Sequence, residues 1–217
     1  IPTMTEPYSE QVFRRFVEDL NSSKPAPGGG SAAAFAGAMA SALAGMTAHM
    51  TVGKKSYAAV EEEMRDVIAR SEKLQQEMLL LAQEDADVFG LVLDAYRMPR
   101  GTQAEKDARD AELQRTGKLS VLASLRLSET CIAILRLAET VVRKGSRLLV
   151  TDGAASAILA RACLRVAAYN VQANLHTVTD PDFVSQTETR LRDCCNLGHD
   201  LEREILAEVE RLSLIHI

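Results

Sequence analysis

The chain has 217 residues, 47% of them hydrophobic but only 4% aromatic, with no Trp and a formal net charge of −5. That length suits one domain with a sizeable core. Net acidity without a basic block argues against a nucleic-acid partner, and an interior filled by Leu, Ala, Val and Met favours helix on helix over a β-sandwich.

A first helix is expected from Ser9 to about Leu20, capped by Ser9, with Val12, Phe13, Phe16, Val17 and Leu20 on one stripe. Asn21 to Pro27 lead into Gly28-Gly29-Gly30-Ser31. Pro25 and Pro27 stiffen this loop, the glycines can take backbone angles that other residues avoid, and Ser31 stands where a helix N-cap belongs. Free N–H groups at such a helix start attract anionic or polar ligands, although the spacing is neither that of a phosphate loop nor that of a dinucleotide motif.

The next helix, about Ser31 to Val52, is rich in Ala, and no Asp, Glu, Lys or Arg occurs between Lys24 and Lys54. At a spacing of four, Ala33, Gly37, Ser41 and Gly45 line up, with His49 continuing the row, so another backbone can come close. Phe35, Met39, Leu43, Met46 and Met50 on the other side are expected in the core. A buried central helix is the expectation. A membrane span is the rival, since the uncharged run is long enough, but it is mostly small residues and lacks aromatic anchors.

Lys54 and Lys55 follow, at the end of that helix. A long helix is expected from about Tyr57 to Tyr96, broken by Met98-Pro99-Arg100-Gly101. Thr102 and Glu105 form a capping-box pattern for a fourth helix, which runs to about Lys144, with the region near Gly117 as its candidate break. Gly145 and Ser146 end it. Asp152 is read as the cap of a fifth helix, about Gly153 to Thr177, and Asp180-Pro181 as the start of a sixth, to about Leu212. The fold expected is all-α, an up-and-down bundle of long antiparallel helices over residues 1–211. Residues 212–217 abandon the charged helical pattern and match a reading frame through a common sequencing adaptor, so they are expected to be non-native and are assigned no function. A start at Ile1 suggests a piece of a longer protein.

Function should show as polar groups that periodicity places inside. Asp85 is the clearest case: its helical neighbours are Leu81, Ala82, Val88 and Phe89, with Glu84 and Asp87 flanking. A buried acid needs a partner or a raised pKa, and acids of the second kind donate and accept protons. A core ion pair with Lys or Arg is the alternative. Asn170 and Asn174, one turn apart in line with Val166 and Ala167, suggest hydrogen bonds to a ligand or to another helix. Cys131, Cys163, Cys194 and Cys195 show no metal spacing and read as thiols in a reducing, cytoplasmic setting, and the four scattered histidines build no zinc site.

In order along the chain stand Pro25-Ala-Pro-Gly-Gly-Gly-Ser31, Gly53-Lys-Lys-Ser-Tyr57, Glu84-Asp-Ala-Asp-Val-Phe89, Ala95-Tyr-Arg-Met-Pro99, Thr151-Asp152 and Asn170-Val-Gln-Ala-Asn174. Each is weak, but the ordered set resembles the formimidoyltransferase-cyclodeaminase family, in its cyclodeaminase domain and the related stand-alone methenyltetrahydrofolate cyclohydrolases. The resemblance implies a homodimeric helical bundle binding a reduced, possibly polyglutamylated folate near the glycine loop, with Asp85 at the acidic position tied to catalysis. It implies closure of 5-formimidoyltetrahydrofolate to 5,10-methenyltetrahydrofolate with release of ammonia. The alternative is the cyclohydrolase reaction between 5,10-methenyl- and 10-formyltetrahydrofolate. Gly28, Gly29, Gly30 and Ser31 would orient the folate, Lys54 or Lys55 would meet its tail carboxylates, and Asn170, Asn174 and Asp152 would complete the binding set, with no metal and no cofactor beyond the folate. The chain departs from the family at Val121-Leu-Ala-Ser-Leu125, where many members have Val-Pro, at Gly145-Ser146 in place of Gly-Asn, and at Val166, where a Gly often precedes the Asn motif. A non-catalytic folate-binding or scaffold protein is the other reading.

Overall fold

The computed structural model describes residues 13–214, with side chains through residue 212. Six α-helices follow one another: α1 (Phe13–Leu20), α2 (Gly29–His49), α3 (Glu61–Arg97), α4 (Gln103–Lys144), α5 (Val150–Leu175) and α6 (Pro181–Leu214). Single 3₁₀ stretches at Lys55–Val60 and Arg147–Leu149 lead into α3 and α5. No strand occurs among the described residues, as the near absence of alternating aromatic and β-branched runs requires.

Helices α2 to α5 form an antiparallel four-helix bundle, and α6 lies over the groove between α4 and α5. Cross-links fix the direction of each pair. Ser41 Oγ donates to the Ser71 carbonyl (2.9 Å) while Ser31 reaches Ala82 and Asp85, so α2 and α3 run opposite ways. Ser156 Oγ donates to the Ala40 carbonyl at 2.7 Å, joining α5 to α2. Met78, Ile134, Leu135, Leu164 and Ile205 fill the main core with alanines of α2 and α5. The small-residue row on α2 does what its spacing implies: a Cβ added at Gly37 would meet Met78 Sδ at 2.7 Å, and one at Gly45 would strike Ser71. His49, at the end of the row, is exposed rather than buried.

Several expectations need correction. Met39, Met46 and Met50 are 49%, 40% and 52% exposed, so the second face of α2 is solvent-facing in one chain. In α1, Phe16 is buried against Phe35, but Phe13, Val17 and Leu20 are exposed; Ser9 and Val12 lie outside the described residues. Helix α5 starts at Val150 with Leu149 as N-cap, so Asp152 sits in the first turn and caps nothing. The preceding 3₁₀ turn already sets the helical path, and the helix begins earlier than an Asp cap would place it. Helix α4 passes Gly117 unbroken. The Thr102–Glu105 capping box forms in full, and Asp180 Oδ1 accepts from Phe183 N at 3.1 Å. Helix α6 continues to Leu214, with Leu212 in the main core. Helix α2 is long and apolar enough to cross a membrane, but much of its surface is buried against α3, α4 and α5.

Candidate active site

The N-terminal end of α2 meets the middle of α3 and the C-terminal end of α5. Gly28 is the N-cap, extended at φ −122° and ψ −164°, and its carbonyl accepts from Ala32 N at 3.0 Å. The N-cap therefore lies three residues before the one expected at Ser31. Ser31 is fully buried and turned into the protein. Its backbone N–H and its Oγ lie 2.9 and 3.1 Å from Asp85 Oδ2, and Oγ is also 2.9 Å from the Ala82 carbonyl.

The three glycines serve a purpose other than unusual backbone angles, because Gly53 is the only described residue with positive φ. A Cβ at Gly30 would lie 2.5 Å from Asp85 Cγ and 2.7 Å from Oδ2, and closer still to Oδ1. Gly30 is thus the gap into which the carboxylate fits. Gly28 and Gly29 have nothing within 4 Å of an added Cβ and face open space.

Asp85 is half-buried, rather than sealed in the core. No cation pairs with it among the described residues; its hydrogen-bond donors are the N–H and hydroxyl of Ser31. Burial raises its pKa above the ordinary carboxylate value, and the Ser31 donors oppose that shift without cancelling it. Glu84, its neighbour, is taken by Arg126 at 2.9 and 3.0 Å, and Asp87 by Gln83 at 2.8 Å. Sequence left open whether Asp85 was ion-paired; among the described residues it has no ion-pair partner, and burial raises its pKa.

Two cavities meet at this carboxyl group. One, of about 250 Å³, lies between the glycine loop and α5 and is walled by Pro25, Gly28, Gly30, Phe89, Asn170 and Asn174. The other, of about 90 Å³, lies on the α4 side, walled by Val88, Val92, Ser120, Ser124 and again Asn174. A further space of about 120 Å³ continues from Ser120 and Asn174 to Tyr96 and Gly117. Ser124 is 5% exposed and its hydroxyl bonds to none of the described residues, though its carbonyl accepts from Ser128. Asn174 gives its backbone carbonyl to Thr177 and keeps its amide for the cavity. The smaller cavity can take a few water-sized molecules at about 30 Å³ each, and the larger one a bicyclic ring system.

Asn170, Asn174 and Asp85 come together as their periodicity implies, with Gly28, Gly29 and Gly30. Lys54, Lys55 and Asp152 do not. They lie at the opposite end of α2 and α5, and the 21 residues of α2 span about 31 Å at about 1.5 Å per residue. Lys54 Nζ there reaches Ser146 Oγ at 3.3 Å. Val166 is 37% exposed and does not line the cavities. Sequence reasoning missed Ser120 and Ser124, whose spacing of four on the inner face of α4 was the available signal. No cluster of three or more His, Cys, Asp or Glu able to hold a metal occurs among the described residues. A larger cavity of about 550 Å³ opens between α5 and α6, but its polar residues, Gln172, His176, Glu188 and Arg192, are all exposed.

The family model described as formiminotransferase-cyclodeaminase matches residues 12–193. A methenyltetrahydrofolate cyclohydrolase of Methylorubrum extorquens is 36% identical over 183 residues, covering 84% of this chain and 86% of that protein. The formimidoyltransferase-cyclodeaminase of Rattus norvegicus is 30% identical over 179 residues, 82% of this chain but 33% of its own length. The chain thus spans about a third of that two-function relative. The crystal structure of a formiminotetrahydrofolate cyclodeaminase from Thermotoga maritima superposes with a TM-score of 0.87 at 25% identity, covering 94% of this chain and 98% of the other. On the match of its sequence and of its fold, the chain belongs to the formiminotransferase-cyclodeaminase family.

Proposed function

We propose that the chain is a folate-dependent one-carbon enzyme that interconverts 5,10-methenyl- and 10-formyltetrahydrofolate, with Asp85 as its acid and base. The observation that carries the chemistry is a carboxyl group with a raised pKa, and no cationic partner among the described residues, at the junction of two cavities of unequal size. The choice of water as the small reactant rests on the 36% identity to the cyclohydrolase along nearly the whole chain.

In the hydrolytic direction the methenyl carbon, bonded to N5 and N10, is the electrophile. Ionised Asp85 takes one proton from water as its oxygen bonds to that carbon. The C–N5 bond then breaks, N5 takes the proton held by Asp85, and the added hydroxyl becomes the formyl oxygen by losing its own proton to solvent. One proton is released overall, and the steps call for no metal or redox group. The 250 Å³ cavity suits the bicyclic head of the folate, with Asn170 and Asn174 toward its polar edges and the N–H groups of Gly29 and Gly30 free at the helix start.

The same carboxyl group serves the cyclodeaminase reaction, and the fold shared with the Thermotoga maritima cyclodeaminase favours that second reading. There N10 attacks the formimidoyl carbon, Asp85 removes the N10 proton, and the leaving nitrogen departs as ammonia after protonation.

Purified protein mixed with 5,10-methenyltetrahydrofolate should speed the loss of its absorbance above the uncatalysed rate. Ammonia and methenyltetrahydrofolate appearing together from 5-formimidoyltetrahydrofolate would instead select the second reading. Silence toward both folates would reject an enzymatic role.

A further inference from the structure

Gly117 is buried and does not interrupt α4. An added Cβ there would lie 3.0 Å from Thr177 Oγ1. Its missing side chain leaves room for the outermost of the small cavities, of about 120 Å³, which it walls with Tyr96, Leu113 and Thr177. That space shares Val92, Ser120 and Asn174 with the cavity of about 90 Å³, and the latter shares Asp85, Phe89 and Asn174 with the one of about 250 Å³. The three join end to end.

Helical spacing makes a passage of them. On α3, Asp85, Phe89, Val92 and Tyr96 follow at steps of four, three and four, so they share one face. On α4, Ser124, Ser120, Gly117 and Leu113 follow at the same steps in the opposite sense. The two helices run antiparallel, as the pairs Arg126–Glu84 and Lys144–Glu63 fix, so the rows face each other along their length. Asn174, in the last turn of α5, and Thr177, just past it, close the third side. The α3 row from Asp85 to Tyr96 spans about 16 Å at about 1.5 Å per residue. It ends at the surface, where Tyr96 is 53% exposed and Thr177 is exposed too. The rim is held in place: Gln114 Nε2 donates to the Thr177 carbonyl at 2.7 Å, and its Oε1 accepts from Thr179 N at 2.8 Å.

The lining selects what can pass. Asp85, at the inner end, is the one charged side chain among the described residues that wall the two smaller cavities. Ser124 is 5% exposed, and its hydroxyl has no partner among the described residues. Ser120 donates its proton to the Thr116 carbonyl at 3.1 Å and keeps its lone pairs. Such groups call for a small hydrogen-bonding molecule, while the apolar stretch of Phe89, Val92 and Leu113 disfavours ions. A bicyclic head seated in the largest cavity would stand between Asp85 and solvent on the side of the glycine loop, so a small reactant then needs another way in.

We propose that the passage between α3, α4 and α5 is a second entrance to Asp85, reserved for neutral molecules of water size, and that it delivers the attacking water while the folate fills the larger cavity. This rests on the folate reading above. In the cyclodeaminase reaction the same passage carries ammonia outward.

The test combines thiol labelling with kinetics. Ser124→Cys protein is treated with methyl methanethiosulfonate, and the unreduced tryptic peptide 119–126, which holds no native cysteine, is weighed. Gly29→Trp, which puts bulk into the largest cavity, should leave the labelling of position 124 standing, and Thr177→Trp, at the exposed rim, should largely abolish it. Without the label, Thr177→Trp should lower kcat about tenfold on whichever folate wild type converts, with KM for that folate held. Gly117→Val should act in the same direction from inside the passage. Gln172→Trp, equally bulky at an exposed position elsewhere on α5, should change neither readout. Labelling stopped by Gly29→Trp but not by Thr177→Trp, a position 124 thiol that the reagent never reaches, or an unchanged kcat in Thr177→Trp protein would overturn the proposal. So would a raised KM with kcat intact, which would give the passage to the folate itself. If wild type converts neither folate, the proposed reaction fails, and the labelling still decides whether a second entrance opens beside Tyr96.

Discussion

Replacing Gly30 with Ala isolates the placement of Asp85 from its presence. The new Cβ would stand 2.5 Å from Asp85 Cγ and 2.7 Å from Oδ2, where ordinary contact begins near 3.4 Å. Helix α2 is pinned by its buried alanines and by Ser31, so the carboxyl group must give way by about 1 Å and leave its donors on Ser31. A displacement of that size at a reacting group costs about 10²-fold in rate, equivalent to about 2.7 kcal/mol of transition-state stabilisation. The fold should lose little, since Ala is the better helix former. Steady-state kinetics on 5,10-methenyltetrahydrofolate beside a thermal melt checks this: kcat should fall about a hundredfold with the melting midpoint nearly unchanged. Gly90→Ala is the control, because nothing lies within 4 Å of an added Cβ there and the residue is in mid-helix; it should stabilise by about 0.5–1 kcal/mol with full activity. Gly30→Ala protein within threefold of wild-type kcat would refute the assignment of Asp85 as the reacting acid, or its placement.

Asp85→Asn should abolish turnover and also change the pH dependence of stability. The folded state holds the Asp85 proton more tightly than the unfolded chain, so this group's contribution to stability is lost as pH rises from the ordinary carboxylate value to the raised one. The Asn variant should lack that decline and be the more stable protein above the window, as urea midpoints across the acid range would show. Ser124→Val fills the small cavity and removes a hydroxyl that bonds to none of the described residues. It should lower kcat by about tenfold with KM for the folate unchanged; a changed KM with an intact kcat would give that cavity to the folate ring. Thr102→Ala removes the acceptor of the Glu105 N–H at 3.2 Å and should cost about 1 kcal/mol, a fall of about 2–4 °C in melting midpoint.

Much of this was legible in the sequence because it follows from helical period alone. Asp85 between Leu81 and Phe89 had to face the bundle interior, and Asn170 and Asn174 had to share one side of α5. The capping box and the Asp180-Pro181 start were local signals and formed as read. What escaped was whatever depends on which helix packs where. The Gly-Gly-Gly run suggested special backbone angles, whereas Gly30 is required because Asp85, 55 positions later in the chain, occupies the place of its Cβ. Met39, Met46 and Met50 carry the pattern of core residues, and a single chain cannot separate a face meant for its own core from one meant for another surface. Ser120 and Ser124 share a spacing of four but were missed for the opposite reason, since a small hydroxyl residue on an inner helical face most often bonds back to its own helix. Ser120 does so, donating to the Thr116 carbonyl at 3.1 Å, and Ser124 does not.

Under the proposed reaction, Ser31 lets one carboxyl group serve as base and then as acid without leaving a buried group unpaired. Its hydroxyl has a single proton and two acceptors within reach, the Ala82 carbonyl at 2.9 Å and Asp85 Oδ2 at 3.1 Å. With Asp85 ionised, that proton turns to the carboxylate beside the backbone N–H. With Asp85 protonated, it turns to Ala82, and the oxygen accepts from the carboxyl instead. Both protonation states of Asp85 are therefore satisfied by rotation about one C–O bond. Ser31→Ala keeps the backbone donor at 2.9 Å but removes the rotating one. Since the lost bond opposed the effect of burial, the carboxyl pKa should move further up, and the limb of the pH–rate profile that reports its ionisation should shift to higher pH. A fall in kcat of about tenfold should accompany the shift. A limb that stayed in place, or moved to lower pH, would show that the hydroxyl serves the Ala82 carbonyl alone.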